Sequence, residues 1–259
     1  MENSENKSLI STCSSNLAKT EKLLSITKKI LSEIKPQYES VKIGNQEWMT
    51  RNLDVDRFRN GDLILHVESD EEWKKAGENG QPVWCYYDND PENGKKYGKI
   101  YNWFAVNDPR GLAPEGWHVP TDEEWTSLIE FLDISNLGWK LKSVDDCWGL
   151  YKGFEGEDQP GNGDNSYGFT ALPGGCRYND GGDICIGYSA NFWSATEVDT
   201  CEAWQLSLFR EYSYLGRRSS FKQEGLSVRC NKDSSDLRWA LAIRAGNIKP
   251  YVPPGLKLK

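Results

Sequence analysis

Pro114-Glu115-Gly116-Trp117-His118-Val119-Pro120-Thr121 sets a tryptophan among turn residues and ends on a helix start. The same design recurs in Gly44-Asn45-Gln46-Glu47-Trp48-Met49, Tyr97-Gly98-Lys99-Ile100-Tyr101-Asn102-Trp103 and Phe192-Trp193-Ser194-Ala195-Thr196. Tyr86-Tyr87-Asp88-Asn89-Asp90, Gly168-Phe169-Thr170-Ala171-Leu172-Pro173-Gly174-Gly175 and Leu226-Ser227-Val228-Arg229-Cys230 punctuate the intervals. Ten of the eleven tryptophans fall between Trp48 and Trp204, so this stretch must hold the core. Tryptophan is bulky, mostly buried, and its N–H needs an acceptor. Flanked by turn residues, it predicts a core pinned by rings from many loops and short strands.

The elements between these motifs follow ordinary patterns. Val41–Ile43 and Glu47–Met49 predict a hairpin turning at Gly44-Asn45. Ser69-x-x-Glu72 and Thr121-x-x-Glu124 fit the capping box, which predicts two helices. After the second, Trp125, Leu128, Ile129 and Leu132 keep helical spacing and mark the buried face. Residues 147–165, rich in Gly, Asp and Glu, read as a long loop. Trp204, Leu206 and Leu208 alternate, as do Tyr212 with Tyr214 and Leu226 with Val228, which predicts three antiparallel strands. Trp193 and Trp204 are assigned to the core. Strands interrupted by only two or three helices indicate an α+β fold.

The ordered motifs resemble the Fibrobacter succinogenes major paralogous domain, over roughly Val41 to Cys230. That family is related in fold to C-type-lectin-like and formylglycine-generating-enzyme-like domains. The resemblance therefore implies a C-type-lectin-like architecture with short antiparallel strands, two capped helices and long loops. It implies no established reaction, and its members are similar to surface or secreted binding proteins. Relatives often carry Cys just before the Pro-x-Gly-Trp motif, where this chain has Ala113, which removes a partner for Cys230.

Three regions follow: 1–40 as an amphipathic helical segment, 41–230 as the domain, and 231–259 as a basic extension. In the first, Leu17, Leu24 and Leu31 recur every seven residues beside Ile30 and Ile34, and Pro36 ends the run. So short a helix is marginal alone. Its stripe packs on its own domain, on a second copy or on a larger assembly. In the extension, Ser235 or Asp236 caps a predicted helix running to Gly246.

The first forty residues carry a net charge of +1 and residues 231–259 carry +4, leaving −13 on the central domain. Such a surface repels phosphate backbones, so nucleic acid is not an expected partner. No stretch nears the roughly 20 apolar residues of a membrane span. Met1–Lys7 lacks a signal-peptide pattern, and seven cysteines make no even framework. These features predict a cytoplasmic protein, or a surface or secreted one if the sequence is a trimmed form.

No catalytic residue, metal or cofactor is expected. Asp88–Gly94 offers hard oxygens, but Lys99 occupies the twelfth position where an EF-hand needs Glu, so it reads as an Asx-rich turn. His118 reads as a scaffold residue. Cys176 and Cys185 flank Gly181-Gly182, where a hairpin brings them together as two thiols, a disulfide or a soft-metal pair. The feature that remains is a binding face. Arg177, Tyr178, Asn179, Tyr188, Asn191, Arg210, Tyr212, Tyr214, Arg217 and Arg218 crowd the last third of the domain. Tyrosine and arginine dominate binding hot spots. The expected function is non-enzymatic recognition of a protein or glycan, with the terminal segments attaching the domain to an assembly. The alternatives are a structural subunit and, behind it, a formylglycine-generating-like metal or redox enzyme using Cys201 and Cys230.

Overall fold

The computed structural model describes residues 17, 19–26, 38–132 and 137–234. The chain divides into two units, Met1–Tyr38 and Glu39–Lys259. In the first, residues 19–26 are helical (α1), with Leu17, Leu23, Leu24 and Ile26 exposed. Ile30, Leu31 and Ile34 of the expected stripe, and the helix expected after Ser235, lie outside the described residues.

The second unit is α+β. One sheet joins β1 (Ser40–Ile43), β2 (Gln46–Met49), β15 (Asn231–Lys232) and β6 (Trp117–His118), in that order. The Gly44-Asn45 hairpin forms as expected, with Gly44 at φ 61°. β15 lies just past the boundary expected at residue 230 and pairs with both β2 and β6. The large mixed sheet runs β13 (Leu215–Phe221), β12 (Glu202–Phe209), β11 (Ser189–Glu197), β9 (Gly174–Arg177), β14 (Gly225–Leu226), β5 (Ile100–Asn102), β4 (Val83–Cys85) and β3 (Leu65–His66). β10 (Asp183–Ile186) is a hairpin partner of β9.

Three sequence expectations are corrected. The stretch expected to be a loop over 147–165 contains a small hairpin, β7 (Leu150–Lys152) with β8 (Asp158–Pro160), in which Gly153 N–H bonds Glu157 O at the turn. Tyr212 and Tyr214 sit in the connection between β12 and β13 rather than in a strand, and their rings stack at 4.9 Å. Trp204 is only half-buried, since its ring is covered by the Arg217 guanidinium, at 3.5 Å and itself exposed, rather than by the apolar core.

Both helix caps form. Thr121 and Glu124 make the complete reciprocal box at the start of α5 (Asp122–Phe131). Ser69 caps α2 (Asp70–Glu78) by accepting from Glu72 N–H, while the Glu72 carboxylate takes the Ser69 hydroxyl instead of a backbone N–H. Short helices α3 (Pro91–Tyr97), α4 (Trp103–Val106) and α6 (Leu137–Leu141) link the strands. Asn102 ends β5 and caps α4. Its Oδ1 accepts from Ala105 and Val83, and its Nδ2 donates to Gln81 O.

The tryptophans explain why turn residues surround them. Trp48 stacks on Trp125 at 4.6 Å, with Phe169 and Phe192 packed around the pair and Leu128, Leu132, Leu206 and Leu208 closing the cluster. Backbone carbonyls of strands and turns supply the acceptors. Trp193 donates to Tyr101 O, Trp103 to Ser194 O, Trp148 to Ala171 O and Trp73 to Gln223 O. Trp48 is an exception, for its Nε1 finds no acceptor among the described residues.

Three of the motifs meet at one side chain. Arg229, fully buried, donates to Met49 O, Phe169 O, Thr170 O and the Asn52 side chain. Its plane lies 4.6 Å from the Phe169 ring centre. The Trp48-Met49, Phe169-Thr170 and Val228-Arg229 blocks thus share a single guanidinium as their junction.

Candidate functional site

Alternation along β12 divides the edge of the large sheet into two unlike faces. Leu206 and Leu208 enter the aromatic core, while Gln205, Ser207 and Phe209 face the other way. Across β11 and β13 that second face continues with Ser189, Asn191, Arg218 and Ser220, against the partners Ser207↔Asn191 and Gln205↔Arg218. Ser189, Asn191, Gln205, Ser207 and Ser220 form the floor of a cavity of about 330 Å³, walled by Cys176, Tyr178, Cys185, Tyr188 and Glu224, with exposed Arg218 at its rim.

The floor is polar and buried, yet internally satisfied. Asn191 donates to Gly175 O and Ser189 Oγ, and accepts from Ser207 Oγ at 2.9 Å. Gln205 donates to Ser220 Oγ at 2.5 Å and accepts from Ser207. Such a network is rigid because every member is held by another. The rim is different. Arg218 makes one hydrogen bond, to Asn191 Oδ1 at 3.3 Å, and rests on Phe209. Among the described residues it has no carboxylate within salt-bridge distance. Burial holds the Glu224 carboxyl above its usual range, against the opposing Ser220 hydroxyl and Arg218 charge.

The expected binding residues separate accordingly. Tyr178, Tyr188, Asn191 and Arg218 line the cavity. Asn179 is exposed at the β9–β10 turn beside it. Arg210 lies over Tyr188 at 5.2 Å, and Tyr212 and Tyr214 extend outward along the connection. Two arginines are corrected. Arg177 has no exposed surface. It donates to Gly181 O, Glu68 O, Asn89 Oδ1 and Asp70 Oδ1, and so ties the β9–β10 hairpin to the start of α2. Arg217 points to the opposite face from Arg218, where it forms a two-pronged bond to Asp122 at 2.7 and 2.6 Å. Sequence reasoning also missed residues. Gln205 and Ser207 alternate with the apolar Leu206 and Leu208 of β12, and that period was the available signal; Ser220 follows Arg217, Arg218 and Ser219 and had none.

Other candidates carry less chemistry. Cys230 is fully buried, with burial pushing its thiol up to about 12, whereas Cys201 is exposed at the start of β12. A thiol so disfavoured as thiolate is inert. Cys176 and Cys185 both line the cavity, and neither is in a disulfide. The Asp88–Asp90 turn places Asp88 and Asn89 at positive φ; Asp90 accepts from Glu92 N–H, as an Asx turn does, whereas Asn89 bonds the distant Glu68 O and Arg177. Among the described residues no three His, Cys, Asp or Glu side chains converge as metal ligands. No helix among them is long and apolar enough to cross a membrane.

His118 lines a broader groove of about 810 Å³ with Leu112, Ala113, Val119 and Glu124. Its Nδ1 bonds Asp233 at 2.9 Å and its Nε2 bonds Glu124 at 2.7 Å. Burial opposes the charge, but the two carboxylates outweigh it and lift the imidazole to about 9. Charged and doubly bonded, His118 clamps β6, α5 and the residue after β15 together. Its stabilisation is complete below pH 6.5 and fades as pH climbs through 9, amounting to about 3 kcal/mol at most. His118→Asn is expected to lose that much at pH 6 and far less at pH 10 in urea melts. A gap independent of pH would refute the clamp.

The strands, capped helices and ring-packed core define an α+β domain with a polar cavity on one sheet face. Residues 41–232 match the Fibrobacter succinogenes major domain, and the chain belongs to that family. No curated protein and no solved structure matches it.

Proposed function

We propose that this domain is a non-enzymatic recognition module whose ligand, a protein segment or a glycan, enters the cavity on the β11–β12–β13 face. The supporting observation is the contrast between a locked polar floor and an under-used rim. Burying five polar side chains in a sheet face is costly unless they are bonded, and these are bonded chiefly to one another. That arrangement keeps the floor pre-shaped, while Arg218 and the rim tyrosines keep bonding capacity for a guest. A C-type-lectin-like classification belongs to the same reading, since short strands and long loops around a rigid core suit ligand display. The exposed Leu17, Leu23, Leu24 and Ile26 favour attachment to a second copy or an assembly through the N-terminal segment.

The test is to probe peptide and glycan arrays with the wild type and with an Arg218→Ala/Tyr188→Ala double variant of unchanged melting temperature. Features captured by the wild type should fade at least tenfold in the double variant. Equal capture by both proteins, or none by either, would end this reading.

A further inference from the structure

Resting on that recognition reading, we propose that the cavity takes one uncharged saccharide unit of a glycan, without a metal ion, between Arg218, Glu224 and the tyrosines of the rim.

Size is the first argument. A cavity of about 330 Å³ stands at the lower end of ligand sites, which span roughly 300–1,000 Å³, and suits one sugar ring better than a peptide stretch. Charge is the second. Arg218 and Glu224 are the cationic and anionic side chains among the described lining residues, and they balance. An anionic guest would meet Glu224 inside a domain carrying −13, and a cationic guest would meet Arg218. A neutral guest meets neither penalty.

Bonding capacity is the third argument. The hydroxyls of Tyr178 and Tyr188 make no hydrogen bond among the described residues, and Arg218 uses one donor bond. Guanidinium and phenol groups donate, while the carboxylate and the phenol oxygens accept. Vicinal hydroxyls, each donor and acceptor at once, match that mixture. With Glu224 as the sole carboxylate among the described lining residues, oxygen ligands are too few for calcium, which takes six to eight. Aromatic faces are the fourth. Tyr188, Phe209, Tyr212 and Tyr214 follow one another at 6.1, 6.1 and 4.9 Å, from the cavity out along the connection. A row of rings offers apolar surface for the C–H faces of neighbouring units in the same glycan.

The experiment uses the full chain in EDTA, with an array of neutral oligosaccharides, oligogalacturonates and the methyl esters of those oligogalacturonates. Neutral glycans and esters should bind, and calorimetry on the best neutral one should show at least tenfold losses for Arg218→Ala and Glu224→Ala. Tyr188→Phe, which removes only a hydroxyl, should weaken binding about threefold without touching stability. Affinity should fall as acid protonates Glu224. Preference for the free acids, loss of binding in EDTA, or no glycan captured at millimolar concentration would overturn the inference. Peptides captured through the cavity in place of glycans would overturn it while leaving the recognition reading intact. Capture indifferent to the cavity variants would remove both.

Discussion

Arg229→Ala is expected to leave little folded protein at room temperature. The side chain is wholly enclosed, and its donors serve three backbone carbonyls and Asn52. Truncation orphans those acceptors, at about 1–3 kcal/mol each. It also releases Thr170, a β-branched residue held at φ 56° between Asn165 and the guanidinium. A loss above about 5 kcal/mol equals the whole stability of a weaker domain. Arg229→Lys should recover little, because an ammonium cannot fork toward carbonyls on separate segments. Urea denaturation followed by tryptophan fluorescence gives the answer. A midpoint within 0.5 M of wild type (about the effect of a mild surface change) would show that the junction is not structural.

Lys142→Met should invert its effect with pH. Lys142 is buried beneath the β12–β13 connection, donates to Arg210 O and Tyr212 O, and lies 4.3 and 4.8 Å from the Trp139 and Trp148 ring centres. Burial pulls its ammonium down to about 7, although the two indole faces favour the charge. Between pH 7 and 10.5 the unfolded chain holds a proton that the folded chain releases, so wild-type stability rises with pH across that window. The full excursion reaches about 5 kcal/mol at most. Methionine fills similar volume and carries no proton. The variant should match or exceed wild type at pH 6 and fall below it at pH 10. A constant offset would show that Lys142 keeps its charge. His118 contributes the opposite slope, so between about pH 7 and 9 the two cancel in the wild-type curve and the variant differences are the informative quantity.

Much of the frame was legible because it depends on local rules. The Gly44 turn and the Thr121 box rest on neighbours within four residues, and the α5 face on helical period. Long-range partnerships were not legible. Arg229 stands in a readable motif, yet its partners lie 59 to 180 residues away. Arg177 looked like a surface residue because arginine before a turn usually is one. The hairpin instead folds the Gly181 carbonyl and the Asp70 carboxylate over it. Tyrosine and arginine drew attention in the site, whereas Gln205 and Ser207 have no comparable signature in the sequence. They are enclosed because side chains from β9, β10 and the connection after β13 (Cys176, Cys185 and Glu224) wall the cavity on that side of the sheet.

Strand alternation has a consequence for how such a domain diversifies. On β12, Leu206 and Leu208 are committed to packing, while Gln205, Ser207 and Phe209 face the other side. Under the recognition proposed above, a substitution at Phe209, which takes no part in the hydrogen bonds of the floor, can change preference while Leu206 and Leu208 keep the hydrophobic interior unaltered. Preference and stability would then vary through different side chains of one strand.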